Sequence, residues 1–199
     1  MEFQKLVRRR HMVRHFQQKP IPREVLLRVL EVARHAPSGG FSQGVDFLVL
    51  DEPDLLKRFV ELTEHPEFGY LRVGKENSMP CLVLPISNKP AYLERYSRPD
   101  KARYRLQTAE AWPVPFWDVD TSFALMLVLL AAVEEGLGAF YFGISWGEAE
   151  LLRELGVPDG CRPVGALGLG YPLEDLVFDP APFAERRRTL ESMVHFGKW

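Results

Sequence analysis

Apolar residues recur at helical spacing along the first third of the chain, then gather into short continuous runs, a change of period that predicts helices interleaved with strands. Residues 2–16 place Phe3, Leu6 and Val13 near one face and predict a first helix. "KPIP" ends it, because Pro20 and Pro22 cannot sit in a helix interior, whereas Pro22 suits the first turn of the next helix. That second helix sets Val25, Leu26, Val29, Leu30 and Ala33 in one stripe and stops at "APSGG". "VDFLVLD" then predicts a strand and "EPDLLKRFVELTEH" a third helix. "MPCLVLPIS" is apolar at every other step and between, the pattern of a strand covered on both faces.

Residues 88–116 break the pattern. They are rich in charge, Tyr and Pro, and predict a surface excursion with room for a short helix, where a lid or a partner-facing segment could lie. Residues 118–135 form a long apolar helix with Gly136 as its C-terminal cap. "LGAFYFGI" predicts a strand turning at Gly143, and "SWGE" has the form of a capping box from Ser145 to Glu148. The helix it opens should reach about Leu155, followed by one glycine-rich strand, "RPVGALGLGYP". The tail from Leu173 has little pattern of its own. Without strict strand–helix alternation the class is α+β, in a single domain spanning residues 1–199.

Composition narrows the function. The net charge is −2, so no general field draws nucleic acid. The most apolar run, residues 123–133, is short for a bilayer and flanked by Asp120 and Glu134, so a buried helix is expected and no membrane partner. The segment "MEFQKLVRRRHMVRHF" lacks the apolar core of a secretory signal, and two distant cysteines, Cys81 and Cys161, suit free thiols in a reducing cytoplasm. Neither they nor the five histidines have metal-ligand spacing.

Four stretches offer chemistry. Arg10 and Arg14 in "RRRHMVRHF" would lie one helical turn apart, either as a solvated basic face or as a site where an anion relieves their repulsion. "PSGGFSQ" is either a glycine turn or a loop open to a ligand. "GLGAFYFGI" is either a core strand or a wall of amides and rings against a planar ligand. "ERRRTLE" is a second arginine cluster. No nucleophile elbow is present, and "GLGLGYP" lacks the dinucleotide fingerprint.

The order of these pieces resembles the nitroreductase-like flavoprotein family. An arginine-rich first segment ending in Arg14–Phe16 is followed by "PIP", by "APSGGFSQ" before a strand, by a long apolar helix running into "GLG", and by "GYP" near a basic tail ending "LESMVHFGKW". The resemblance implies a central, mainly antiparallel sheet flanked by helices, an intertwined homodimer, and FMN at the dimer interface. Arg10, His11, Met12 and Arg14 match the first motif, with Arg10 toward the phosphate or ribityl chain and Arg14 toward the pyrimidine end. Pro37, Ser38, Gly39 and Phe41 match a loop supplied by the partner subunit. Tyr141, Phe142, Gly143 and Ile144 match the strand along the flavin edge, and Arg187 the C-terminal phosphate clamp.

The activity so implied is an FMN-dependent oxidoreductase passing hydride from NAD(P)H to a nitroaromatic, quinone or other conjugated electrophile. Other flavin reactions (dehalogenation, dehydrogenation, flavin breakdown) and a non-catalytic flavin or deazaflavin carrier stay open. Three departures from the family pattern bear on this choice. Met12 stands where Ser is common, Phe41 where Asn is common with Gly44 and Val45 after it for Pro-Trp, and Glu185 where a basic residue is common.

Overall fold

A computed structural model describes residues 2–64, 78–173 and 179–199. Its elements are α1 (Phe3–Arg9), α2 (Arg23–Glu31), β1 (Val45–Leu50), α3 (Pro53–Thr63), β2 (Cys81–Asn88) and α4 (Lys89–Tyr96). They are followed by α5 (Phe116–Glu134), β3 (Gly138–Phe142), α6 (Glu148–Glu154), β4 (Cys161–Pro163), β5 (Ala166–Gly170) and α7 (Ala181–Arg186). The strands form one antiparallel sheet in the order β1-β2-β5-β3, with β4 also on β2. The α+β class expected from the sequence is thus the observed one.

Alternation along β2 explains its unbroken apolar run. Leu82, Leu84 and Ile86 point into one core with Phe59 and Leu62 of α3, Leu151 of α6, and Phe16. Cys81 and Val83 point into the other, among Leu26 and Val29 of α2 and Val128 and Leu129 of α5. A strand closed by helices on both faces has no polar side to show. By length and composition alone the 19 residues of α5 could cross a membrane, yet Asp120 and Thr121 are buried in it and its inner face closes the second core. Gly136 follows it at φ 75°, as its role as a cap requires.

Three expectations are corrected. The first helix does not reach residue 16: it ends at Arg9, and Arg10 is already extended at φ −64°, ψ 118°. Beyond it the chain bonds to the free edge of β3, where Val13 N–H donates to Ala139 O at 2.8 Å. An edge strand's unpaired carbonyls outbid the local helical pattern. Arg10 and Arg14 are therefore not one helical turn apart.

The capping box also fails. Helix α6 starts at Glu148 behind Gly147, at φ 65°, and no side chain caps it. A Cβ on Gly147 would fall 1.8 Å from Leu62 O, so close approach to the end of α3 sets the start of the helix.

Lastly, the glycine-rich strand is two strands, β4 and β5. The register steps by one residue between Ile86↔Pro163 and Val83↔Leu167, a bulge opposite Pro85, which has no N–H to continue the ladder. Part of the tail, residues 174–178, lies outside the described residues, as does His65 at the end of the expected third helix.

Candidate functional site

The extended stretch after α1 is stitched between β3 and the end of β5. Met12 bridges Ala139 in parallel, Phe16 bridges Pro172, and Gln17 N–H donates to Tyr171 O at 2.8 Å. Gly138 makes this possible, since a Cβ there would strike Val13 at 2.8 Å. The result sets Met12 and Arg14 against β3, Met12 opposite Ala139 and Arg14 over the Phe140 ring, with Arg10 and His11 just before the paired stretch.

Within that group the chemistry is uneven. Arg10 Nη1 is shut from solvent with no hydrogen-bond partner among the described residues. Arg14 lies over the Phe140 ring, 4.8 Å from its centroid, and Phe140 in turn stacks on Phe142 at 5.2 Å. Tyr141 N–H is directed at Met12 Sδ, 3.4 Å away, so the methionine turns its thioether to the strand rather than to a ligand. The space a Cβ would take at Gly143 is open.

The other candidate loop stands at the far edge of the sheet, before β1. Two non-glycine residues in it have left-handed backbones, Phe41 at φ 58° and Gln43 at φ 52°, each costing about 1–2 kcal/mol. Phe41 is nonetheless 75% exposed, so burial of its ring does not offset that cost. Internal bonds shape the turn: Phe41 N–H donates to Ser38 O at 2.9 Å and Gln43 N–H to Ser38 Oγ at 3.0 Å.

External bonds hold the loop in place. Asp120, 4% exposed, accepts Gly39 N–H at 2.7 Å and Tyr92 O–H at 2.7 Å on the same oxygen. Burial, helped by that bond to Asp120, raises the Tyr92 phenol well above its ordinary range. Arg95 Nε donates to Gly40 O at 2.9 Å, and its other two nitrogens grip Asp100 at 2.9 and 2.7 Å. Arg95 in turn holds the Asp100 carboxyl below its usual range.

Residues 88–116 supply Tyr92 and Arg95 to this support, and α5 supplies Asp120. Tyr92, Tyr96 and Trp112 are buried together with Trp117, and Tyr96 meets Trp112 edge-on at 4.7 Å. Phe41 rises between two clefts. One of about 480 Å³ is lined by Gly40, Ser42, Ala91, Arg95 and Asp100, and one of about 370 Å³ by Ala33, His35, Pro37, Val45 and Phe47.

Within one chain the two halves do not meet. Strands β1 and β3 are opposite edges of the sheet, three strand spacings or roughly 14 Å apart. Pro37, Ser38, Gly39 and Phe41 therefore stand away from Arg10, Arg14 and Tyr141. Arg187 is exposed in the tail and its guanidinium makes no hydrogen bond or ion pair among the described residues.

A model of the nitroreductase family matches residues 7–171, most of the chain and both halves of the site. The chain belongs to the nitroreductase family. A relative from Archaeoglobus fulgidus, named a putative NADH dehydrogenase/NAD(P)H nitroreductase, is 26% identical over 98% of this chain and 97% of its own. An iodotyrosine deiodinase of Nematostella vectensis is 35% identical over 47% of this chain and 36% of its own. Among solved structures, a nitroreductase family protein from Streptococcus pneumoniae TIGR4 shares the fold with a TM-score of 0.76 at 18% identity, over 98% of this chain and 99% of its own.

For a nitroreductase, three residues of the loop's support escaped the motifs. Asp120, Tyr92 and Arg95 belong to no family signature quoted above. The one signal was an acid set inside an apolar helix, "DVDTSFALML", where a buried charge needs partners.

Proposed function

We propose that this nitroreductase binds FMN and passes hydride from NADH or NADPH to a nitroaromatic, quinone or similar conjugated electrophile, in ping-pong fashion. The observation that carries this is Arg10. A buried guanidinium nitrogen with no acceptor costs on the order of 1–3 kcal/mol, a cost that an anionic oxygen would remove. The residues fit a phosphorylated planar cofactor: a buried guanidinium nitrogen with no hydrogen-bond partner among the described residues, an arginine at a ring-lined strand, and open space at Gly143.

In this reading Arg10 and Arg187 hold the phosphate and ribityl chain, with His11 and Met12 beside them. Arg14 supplies a fixed cation at the pyrimidine end, where it favours negative charge. Tyr141, Phe142, Gly143 and Ile144 line the edge of the ring. Hydride acceptance from the nicotinamide and its donation onward are the chemistry that bound FMN supplies. The chain's part is position, charge and exclusion of water, and no side-chain acid or base is required of it.

The site is completed by a second copy, whose Pro37, Ser38, Gly39 and Phe41 would reach the first copy's β3. A single chain exposes Phe3 and Val7 on α1, Phe123 and Met126 on α5, and Leu190, Met193, Phe196 and Trp199 in the tail. So much unpartnered apolar surface suits an obligate dimer. A cytoplasmic site suits the free cysteines, since burial pushes the Cys81 thiol up to about 12 and keeps it unreactive.

The test is anaerobic titration of the FMN-loaded protein with NADH and with NADPH, alongside its mass in solution. Bleaching of the flavin in a dimer is expected. A protein that binds no FMN would end this reading. The local likeness to iodotyrosine deiodinase favours one second reading, reductive dehalogenation, which release of halide from a halogenated phenol would reveal.

A further inference from the structure

We propose that Asp120 and Arg95 are positioning residues that lock the loop at residues 37–43 and, through Phe41, set which acceptors the site takes; the acceptor half rests on the flavin reading above. A loop that must present an exposed ring from a left-handed backbone will relax unless something holds it. Two holds meet at the entry of the strained turn. Asp120, buried in α5, takes the Gly39 amide, and Arg95 of α4 takes the Gly40 carbonyl.

Each hold is itself pinned. Asp120 is fixed by the Tyr92 hydroxyl, and Tyr92 is wholly buried against Trp112 and Trp117 at 5.9 and 6.3 Å. Arg95 is fixed by the fork it makes with Asp100. The glycines seat the turn on this platform: a Cβ at Gly40 would meet Tyr96 at 2.8 Å, and one at Gly44 would meet Tyr92 at 2.6 Å.

Residues 88–116 thus act as a brace under the loop rather than a lid over a site. The output of the brace is the direction of Phe41, the one large apolar side chain between the two clefts that is mostly exposed. A flat acceptor that stacks on this ring needs it held, whereas a small inorganic oxidant that takes electrons without stacking does not.

The experiment compares wild type with Asp120→Asn and with Arg95→Met, the second leaving the aromatic block untouched should the first fold poorly. Hydrogen exchange is followed without cofactor, and steady-state kinetics with FMN, using menadione and ferricyanide as acceptors. Expected are exchange about tenfold faster at residues 38–43 with β1 and β2 unaltered, and a KM for menadione raised about tenfold while that for ferricyanide moves less than about twofold. Unaltered loop exchange in both variants overturns the brace. Faster exchange with both acceptors affected alike, or neither, overturns its hold on acceptor choice. Wild-type protein that binds no FMN defeats the flavin reading and acceptor control with it, and the exchange data then decide the brace alone.

Discussion

Arg14 and Phe140 face one another at the edge of β3, the guanidinium 4.8 Å from the ring centroid. An arginine so placed keeps its position without a carboxylate, so its charge is available to a ligand. Arg14→Ala should remove only about 0.5–1 kcal/mol of folding stability, the worth of an exposed cation–π pair. It should cost far more in cofactor binding. FMN affinity is expected to fall about tenfold or more, with a lowered reduction potential, because a charge-assisted contact is lost. Fluorescence titration and a dye-linked potential measurement check both. Equal affinity and potential would assign Arg14 to a solvated face.

How far the sequence showed this depends on where each residue finds its partners. The α2 stripe of Leu26 and Val29 and the apolar run of β2 were legible, because burial against a sheet imposes a local period. The end of α1 was not. Val13 and Phe16 fit a helical face, and only the free edge of β3, more than a hundred residues on, converts them to an extended strip. The helical face that Arg10 and Arg14 were expected to share was an artefact of the local pattern, since α1 ends at Arg9.

The start of α6 gives a direct stability test of the same lesson. Gly147→Ala demands a left-handed alanine and places a Cβ 1.8 Å from Leu62 O. Strain and overpacking together should cost about 3 kcal/mol or more. Ser145, exposed and making no cap, should tolerate alanine within about 0.5 kcal/mol. Urea unfolding of the two variants checks this. A larger loss for Ser145→Ala would restore the capping box.

Asp100 and Arg95 predict how the loop responds to acid. The hydrogen bond from Arg95 lowers the Asp100 carboxyl below its ordinary 3.8. A depressed carboxylate contributes stability that is fully present above its unfolded value and is lost as pH falls through the folded one. The grip on Gly40 should therefore persist unchanged from pH 7 to about 5 and loosen only below about 3.8. An NMR titration of the Asp100 carboxyl carbon measures the midpoint directly, and Arg95→Met should return it toward the ordinary value. A midpoint above 3.8 in the wild type would falsify the ion pair as the cause.

Phe41 provides the sharpest separation of stability from function. Nothing in "PSGGFSQ" indicates which residues turn left-handed, since the glycines draw the expectation to themselves; yet Gly40, Phe41 and Gln43 all adopt positive φ. Phenylalanine tolerates that backbone poorly, while asparagine adopts it readily because its short side chain bonds locally. Because the ring is 75% exposed, its removal sacrifices little buried surface. Phe41→Asn should thus stabilise the protein by about 1 kcal/mol, raising Tm by roughly 2–4 °C for a chain of this size. Phe41→Ala keeps a Cβ on the strained backbone and should change stability by less than about half as much. Thermal melts of the three proteins without cofactor decide the matter. If asparagine gives no gain over alanine, the left-handed backbone carries no strain and Phe41 is held there at no cost.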